Sequence, residues 1–216
     1  MDFSVINLEL VATLLLLLLI GIGPKIALVP FLEKTKKFAP DQQVAIGRRM
    51  VITAVVVAAV VVFITGGLLL RLLHITTGAV AVAGGIILAL IAVKMALGSE
   101  EVVEHHEAPA DPDKLAVYPL AIPYLFNPVG ITVLIIASDS VHSIAAAALV
   151  LGLVLLVGAL DYLIFSNIDK IAKRINPTSL IVSEIVFGVL LTAVAVQLFV
   201  FGLRLLGIIE PAAATH

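Results

Sequence analysis

The sequence lacks cysteine and tryptophan, and it holds few charged residues. Without cysteine, disulfide bonds and thiol chemistry are excluded. Without tryptophan, an aromatic belt at a membrane interface depends on a few tyrosine and phenylalanine side chains. Only 13% of the residues are charged and 62% are hydrophobic, and the mean hydropathy is +1.22. These proportions are far from those of soluble proteins, so we predict an integral membrane protein.

Six apolar segments are suited to crossing a bilayer as helices, since a span needs roughly 20 apolar residues. They are Leu10–Leu32, Met50–Leu70, Ile75–Val93, Leu115–Ser138, Ile144–Leu160 and Ile185–Leu203. Lys25 is the one charged residue within them. With 216 residues in total, little chain is left for a soluble domain. We therefore predict an all-α integral membrane protein with six transmembrane helices.

The distribution of basic residues predicts the orientation of these helices. Lysines and arginines gather in two loop regions, at Lys34, Lys36, Lys37, Arg48 and Arg49 and at Lys170, Lys173 and Arg174. The positive-inside rule puts these loops in the cytoplasm and both chain termini outside. The acidic loop at 99–114 then lies inside by parity, which the rule allows because acidic residues contribute little to orientation.

Two of the apolar segments contain a proline near their middle. The first runs through Gly21-Ile22-Gly23-Pro24-Lys25, and the fourth runs through Phe126-Asn127-Pro128-Val129-Gly130. Because proline removes a backbone donor and clashes with the preceding turn, helices 1 and 4 are predicted to break near the bilayer midplane. Broken backbone persists in hydrocarbon only when it is buried in protein or lines a wet cavity. Paired breaks of this kind are typical of transporter binding sites.

The breaks divide the chain into two halves of three helices each. The first half covers residues 1–98, the second covers 115–216, and a cytoplasmic acidic loop at 99–114 joins them. Because each half has an odd number of spans, the second half inserts upside down relative to the first. We therefore predict two inverted three-helix repeats, related by a pseudo-two-fold axis in the membrane plane.

Several short motifs give the chain a resemblance to a known family. They include Val29-Pro30-Phe31-Leu32, Arg48-Arg49, Ala83-Gly84-Gly85-Ile86-Ile87, Pro119-Leu120-Ala121-Ile122-Pro123 and Ala193-Val194-Ala195-Val196-Gln197. With these motifs the chain resembles the MarC family (UPF0056), six-helix inner-membrane proteins of bacteria and archaea, over nearly its whole length. That family includes transporters of small neutral amino acids, and its wider LysE-like superfamily resembles amino-acid and ion exporters. The resemblance therefore implies a transporter in a bacterial or archaeal plasma membrane.

The candidate substrate site is a midplane cavity between the two breaks. We expect it to be lined by Gly23, Pro24, Lys25, Asn127, Pro128 and Gly130. Lys25 would lie at the start of a half-helix whose unpaired N–H groups carry positive potential, which suits a carboxylate or a phosphate. Alternatively, Lys25 extends to an interface or is neutralised by Asp139 or Asp161. Asn127 donates either to a substrate oxygen or to carbonyls freed by Pro128.

Other polar residues within or directly after the apolar segments are secondary candidates. Thr192 and Gln197 fall near the middle of the sixth helix, where they either line the cavity or hydrogen-bond to another helix. Asp161, in the fifth helix, either carries a proton for coupling or pairs with a basic loop residue. Asp139, at the outer mouth, either attracts cations or caps a helix. Neighbouring histidines seldom give the geometry of a metal site, so none is predicted at Glu104-His105-His106-Glu107.

Transport is the function that these observations favour. No phosphate-binding loop, dinucleotide fingerprint, zinc-protease helix or nucleic-acid patch is present, so neither an enzyme nor a cofactor is expected. The leading hypothesis is a secondary transporter that moves a small carboxylate-bearing solute, such as a small neutral amino acid, by alternating access. The alternative is a translocase for an anionic lipid carrier such as a polyprenyl phosphate. A lateral opening near Lys25 favours the lipid, and a closed polar vestibule favours the solute.

Two further expectations concern a role without transport and the oligomeric state. A membrane scaffold that transports nothing predicts no cavity at all, and the two broken helices count against it. Assembly with further copies of the chain is compatible with the sequence, which does not select an oligomeric state.

Overall fold

The computed structural model of the protein describes residues 8–64, 70–97, 111–139, 144–172 and 177–209. Within these ranges the chain is helical and contains no β-strand. The α-helices are α1 (Leu8–Ile22), α2 (Pro24–Thr35), α3 (Pro40–Ile64), α4 (Leu70–Leu73), α5 (Thr77–Ala96), α6 (Pro112–Leu115), α7 (Pro128–Asp139), α8 (Ile144–Ser166), α9 (Ile168–Ala172) and α10 (Pro177–Leu205). Between α6 and α7, residues Ala116–Leu125 form an irregular helical segment.

Among the described residues, five helical stretches are long and apolar enough to cross a membrane. They are Val11–Thr35, Pro40–Ile64, Thr77–Ala96, Ile144–Ser166 and Ile185–Leu205. A sixth span arises if Pro112–Leu125 and Pro128–Ser138, which meet at a bend of 67°, are counted together. By length and composition, these stretches confirm the prediction of an all-α integral membrane protein.

The first predicted break is small. Gly23 leaves the helical conformation (φ −77°, ψ 162°), and α2 begins directly after it at Pro24. A residue that precedes proline is pushed towards extended backbone, which explains this conformation. The span Val11–Thr35 nevertheless continues as a single stretch of 25 residues, with Gly23 at its centre. The break is therefore an interruption of the hydrogen-bond ladder rather than a sharp bend.

The second break is larger than the sequence predicts. Within Leu115–Ser138 we expected one interruption, at Pro128, but Tyr118 (φ −135°, ψ 128°) and Ile122 (φ −131°, ψ 123°) are also extended. Each of these two residues precedes a proline, which disfavours the α-helical region for its neighbour. The half of this span that precedes Pro128 is consequently irregular, and only α7 is a regular helix.

From Pro119 onward, protein covers this irregular backbone, as hydrocarbon requires. The segment Ala116–Leu125 packs against α2 and α3, and Leu120, Ala121 and Leu125 within it are fully buried. Corresponding helices of the two predicted halves also pack together, α1 with α7, α3 with α8 and α5 with α10. A two-fold axis in the membrane plane gives this pairing, although the division into repeats stays a prediction. Most of the joining loop, residues 99–110, lies outside the described residues.

The contact between α5 and α10 is the most extensive one among the described helices. A Cβ atom at Gly85, Gly188 or Gly202 would meet backbone atoms of the facing helix. Small residues at a helix interface allow backbones to approach closely in a membrane. These three glycines therefore explain why α5 and α10 lie so close together.

Candidate functional site at the crossing of the two breaks

The two breaks lie in direct contact. The backbone N–H of Asn127 donates to the carbonyl oxygen of Gly21 at 3.0 Å. A Cβ atom at Gly21 would overlap the backbone of Gly130, and one at Gly130 would overlap the carbonyl of Gly21. The two broken segments thus form a crossing, made by Gly21, Asn127 and Gly130. Because the crossing is packed, the space between the breaks is filled in this conformation.

The side chain of Asn127 connects both breaks. Its Nδ2 donates to the carbonyl oxygen of Ile20 at 2.9 Å. In an unbroken helix that carbonyl would accept from residue 24, but Pro24 has no N–H to donate. Asn127 is only 3% exposed, so this donor replaces the missing one away from water. The sequence left open whether Asn127 serves substrate or freed carbonyls. Its amide donor serves a carbonyl freed by Pro24 in the opposite segment, not by its own neighbour Pro128.

Asn127 also caps the helix that follows it. Its Oδ1 accepts from the backbone N–H groups of Val129 at 2.9 Å and Gly130 at 3.2 Å. The first N–H groups of a helix have no partner inside the helix, and an asparagine cap satisfies some of them. The N-terminus of α7 is therefore already occupied by the protein's own groups.

The N-terminus of α2 is different, because no side chain caps it. Its N-cap is Gly23, which has no side chain to offer, and its first residue is Pro24. The N–H groups of Lys25 and Ile26 come next, at the end of the helix that carries positive potential. Gly23 is buried, and a Cβ atom there would overlap the carbonyl of Leu19. The backbone N–H groups that are not capped by a side chain, and that suit an anion, therefore belong to α2.

Lys25 lies beside these donors on the surface of the bundle. Its side chain is exposed, and its ammonium lies over the ring of Phe187 in α10. Lys25 follows the centre of the first span by two residues, or about 3 Å along the helix. The ring face attracts a cation, and this attraction strengthens away from water. Lys25 is thus a basic group of α2 near the middle of the span. Its side chain faces outward and reaches the ring of Phe187 in α10.

Asp161 is fully buried and is not hydrogen-bonded to Lys25. It is 0% exposed, and neither of its carboxyl oxygens has a hydrogen-bond partner among the described residues. One turn further along α8, the ring of Phe165 lies 5.0 Å from that of Phe31 in α2. Asp161 therefore faces the bundle interior without neutralising Lys25 or pairing with a described basic residue. A buried polar group without a partner is costly and points to a function.

The remaining sequence candidates lie away from the crossing. Thr192 is half-buried, and its hydroxyl donates to the carbonyl of Gly188 at 2.8 Å within α10. Gln197 is exposed on the same helix. Asp139 is the last residue of α7, and its side chain lies outside the described part of the structure. Of the predicted site, the crossing itself therefore contains Asn127 and Gly130, with Pro128 between them. Gly23, Pro24 and Lys25 follow Gly21 along the first segment, at the edge of the crossing.

Three residues of the site were not singled out from the sequence. A proline frees the carbonyl four residues before it, so Pro24 already pointed to Ile20. Gly21 belonged to the first break, but nothing in the sequence indicated that its carbonyl would bind Asn127. Phe187 is one apolar residue in a long apolar run and carried no signal. No group of three or more potential metal ligands occurs among the described residues, and residues 104–107 lie outside them.

Comparison with known proteins identifies the family. The profile described as "MarC family integral membrane protein" matches residues 8–206. UPF0056 membrane protein MJ1677 of Methanocaldococcus jannaschii is 29% identical over 186 residues, which cover 85% of this chain and 90% of that protein. UPF0056 membrane protein YvbG of Bacillus subtilis is 30% identical over 195 residues, 86% of this chain and 90% of its own length. No solved structure matches. The chain belongs to the MarC family, which confirms the resemblance seen in the sequence.

Proposed function

We propose that this MarC family protein is a secondary transporter of small solutes that carry a carboxylate, such as small neutral amino acids. The observation that carries the proposal is the crossing of two broken spans, with an uncapped helix N-terminus and a lysine at its edge. Broken backbone and a lysine near mid-depth are both costly in hydrocarbon, and transporters use such features to bind their substrates.

The carboxylate would bind at the start of α2. The N–H groups of Lys25 and Ile26 have no side-chain cap, and helix N-termini favour negative charge. The ammonium of Lys25 adds a full positive charge beside them. Since Asn127 already satisfies the N-terminus of α7, we assign the anion to α2 and a structural role to Asn127.

Transport would require the crossing to open. Two hydrogen bonds join its segments, both donated by Asn127, one to Gly21 and one to Ile20. A buried hydrogen bond contributes about 1 kcal/mol net, so breaking two of them is within reach of a transport cycle. Rocking of one half against the other would expose the site to each side of the membrane in turn.

Asp161 is the coupling group in this proposal. It is buried without a hydrogen-bond partner among the described residues, and buried carboxyl groups in membrane spans serve as proton relays in transporters. We propose that it takes up and releases a proton during the cycle. Asp139, the last residue of α7, remains a second candidate. The orientation with both termini outside also belongs to the proposal.

One observation favours a second function, the translocation of an anionic lipid such as a polyprenyl phosphate. Lys25 is exposed on the bundle surface beside α10, where a phosphate headgroup could approach from the bilayer. A lysine at that depth suits a phosphate as well as a carboxylate. The two functions share the site and differ in whether the substrate enters from water or from lipid.

Ligand-induced stabilisation distinguishes the two. The unfolding temperature of the purified protein would be measured with alanine, with serine and with a short-chain polyprenyl phosphate. A ligand at 100 times its Kd adds about 2.7 kcal/mol to the free energy of unfolding, which raises the unfolding temperature by roughly 5–10 °C. We expect the amino acids to produce this shift in the wild type and not in Lys25→Gln. Lys36→Gln, which removes an exposed lysine at the far end of α2, is the matched control.

If only the polyprenyl phosphate stabilises the wild type, and Lys25→Gln loses this stabilisation, the function is lipid translocation and not solute transport. Stabilisation by an amino acid that persists in Lys25→Gln would contradict the assigned site. A folded wild type that neither ligand class stabilises would contradict both functions.

A further inference from the structure

A groove on the outer surface of the bundle lies between α5 and α10. Its volume is about 420 Å³, and the residues that line it include Gly85, Ala89, Val93, Lys94, Val196 and Phe199. Val93 and Val196 are 44% and 57% exposed, so the groove opens outward. Glycine and alanine provide little side chain at its floor, which explains the depression.

The lining changes in character along α5. It is apolar from Gly85 onward and ends at Lys94. These residues are nine positions apart, or about 14 Å along a helix, which is close to half of the roughly 30 Å hydrocarbon core of a bilayer. Lys94 lies two residues before the end of α5 and is exposed. The groove therefore extends over about one leaflet, with a cation at the headgroup end.

We propose that this groove binds one hydrocarbon chain of an anionic phospholipid, whose phosphate is held by Lys94. The apolar lining suits the chain, and the lysine at the interface complements the charge of the headgroup. A second copy of the protein is a poorer occupant. In a two-fold dimer about the membrane normal, each Lys94 would lie at the same depth as its counterpart, and like charges oppose such an interface.

This lipid site is separate from the proposed substrate site. Phe187, which contacts Lys25, and Val196, which lines the groove, are nine residues apart on α10. Nine residues are two and a half turns of an α-helix, so the two side chains leave opposite faces. The inference therefore does not depend on the transport proposal.

Native mass spectrometry of the purified protein tests the proposal. Delipidated protein would be titrated with phosphatidylglycerol and with phosphatidylcholine of the same acyl chains, and the affinity for the first bound lipid would be compared. We expect the wild type to bind phosphatidylglycerol about fivefold more tightly, the size expected for one basic residue near an anionic headgroup. Lys94→Gln should bind both lipids equally, whereas Lys36→Gln should keep the wild-type preference.

A second pair of variants tests the groove itself. Val196→Phe places a larger side chain in the groove and should weaken the binding of both lipids. Because Val196 is exposed, the substitution should not affect folding. Leu190→Phe changes a residue of α10 that is similarly exposed, at 55%, does not line the groove and leaves a different face of the helix from Val196. It should bind as the wild type does. An unchanged lipid preference in Lys94→Gln, or unchanged binding in Val196→Phe, would overturn the proposal.

Discussion

Replacement of Asn127 tests the crossing most sharply, because the residue makes distinct bonds to both breaks. Asn127→Ala removes the donor to Ile20 and the acceptor for the N–H groups of Val129 and Gly130. The backbone bond from residue 127 to Gly21 does not involve the side chain and should persist. The variant therefore separates side-chain repair of the breaks from their backbone contact.

The magnitude follows from these bonds. Loss of an asparagine cap costs about 1 kcal/mol, and a buried carbonyl left without a donor costs about 1–3 kcal/mol. Interhelical hydrogen bonds measured within membranes tend to contribute less, about 0.6 kcal/mol on average. We therefore expect Asn127→Ala to lower the free energy of unfolding by about 2 kcal/mol. Asn127→Ser keeps a good cap but is too short to reach Ile20, so it should lose about 1 kcal/mol.

Unfolding in mixed micelles by added dodecyl sulfate, followed by circular dichroism, measures these differences. The matched control is Asn167→Ala, since Asn167 is exposed and its amide donates to the carbonyl of Leu163 at 2.9 Å. It should change the free energy of unfolding by less than about 0.5 kcal/mol. Equal stability of Asn127→Ala and the wild type would show that the side chain does not stabilise the two breaks. Wild-type stability of Asn127→Ser would show that the hydrogen bond to Ile20 does not contribute to the free energy of unfolding.

Four further predictions address the buried carboxyl, coupling, packing and orientation. Asp161→Leu should raise the free energy of unfolding by about 1–3 kcal/mol, because it removes a buried carboxyl without a partner. Asp161→Asn should abolish solute accumulation driven by a proton gradient while exchange at equilibrium persists, and unimpaired accumulation would exclude the coupling role. Gly130→Ala should destabilise by about 1–3 kcal/mol because its Cβ overlaps Gly21. Gly152→Ala places its Cβ in open space beside α8, so it should instead stabilise by up to about 1 kcal/mol, and equal effects would contradict the packed crossing. Since the chain has no cysteine, single Lys36→Cys and Ile209→Cys variants can be labelled in intact cells with an impermeant thiol reagent. We expect labelling only of Ile209→Cys, and the reverse pattern would invert the orientation.

The spans were predictable because hydropathy and proline act locally. Long apolar runs specify membrane helices without knowledge of their neighbours, and Pro24 and Pro128 interrupt the helix wherever they occur. The extended conformations of Tyr118 and Ile122 were available from the same rule, since each precedes a proline. They were missed because the apolar run around them was treated as one helix with a single break.

The arrangement around the breaks was not predictable, because it depends on which helices meet. The sequence shows that Pro24 frees a carbonyl, but Asn127, which satisfies it, lies 107 residues from Ile20. Likewise, the charge of Lys25 indicated a function at mid-depth, but not that its side chain would be exposed and would contact Phe187, 162 residues away. Long-range contacts of this kind cannot be read from local patterns in one sequence.

Counterflow in proteoliposomes tests the transport proposal most directly. Vesicles that contain the purified protein would be loaded with unlabelled alanine, and uptake of external labelled alanine would be followed for the wild type, Lys25→Gln and Lys36→Gln. We expect saturable uptake by the wild type and by Lys36→Gln, and its loss in Lys25→Gln. Saturable uptake that persists undiminished in Lys25→Gln, or a folded wild type that moves no carboxylate-bearing solute, would contradict the transport proposal.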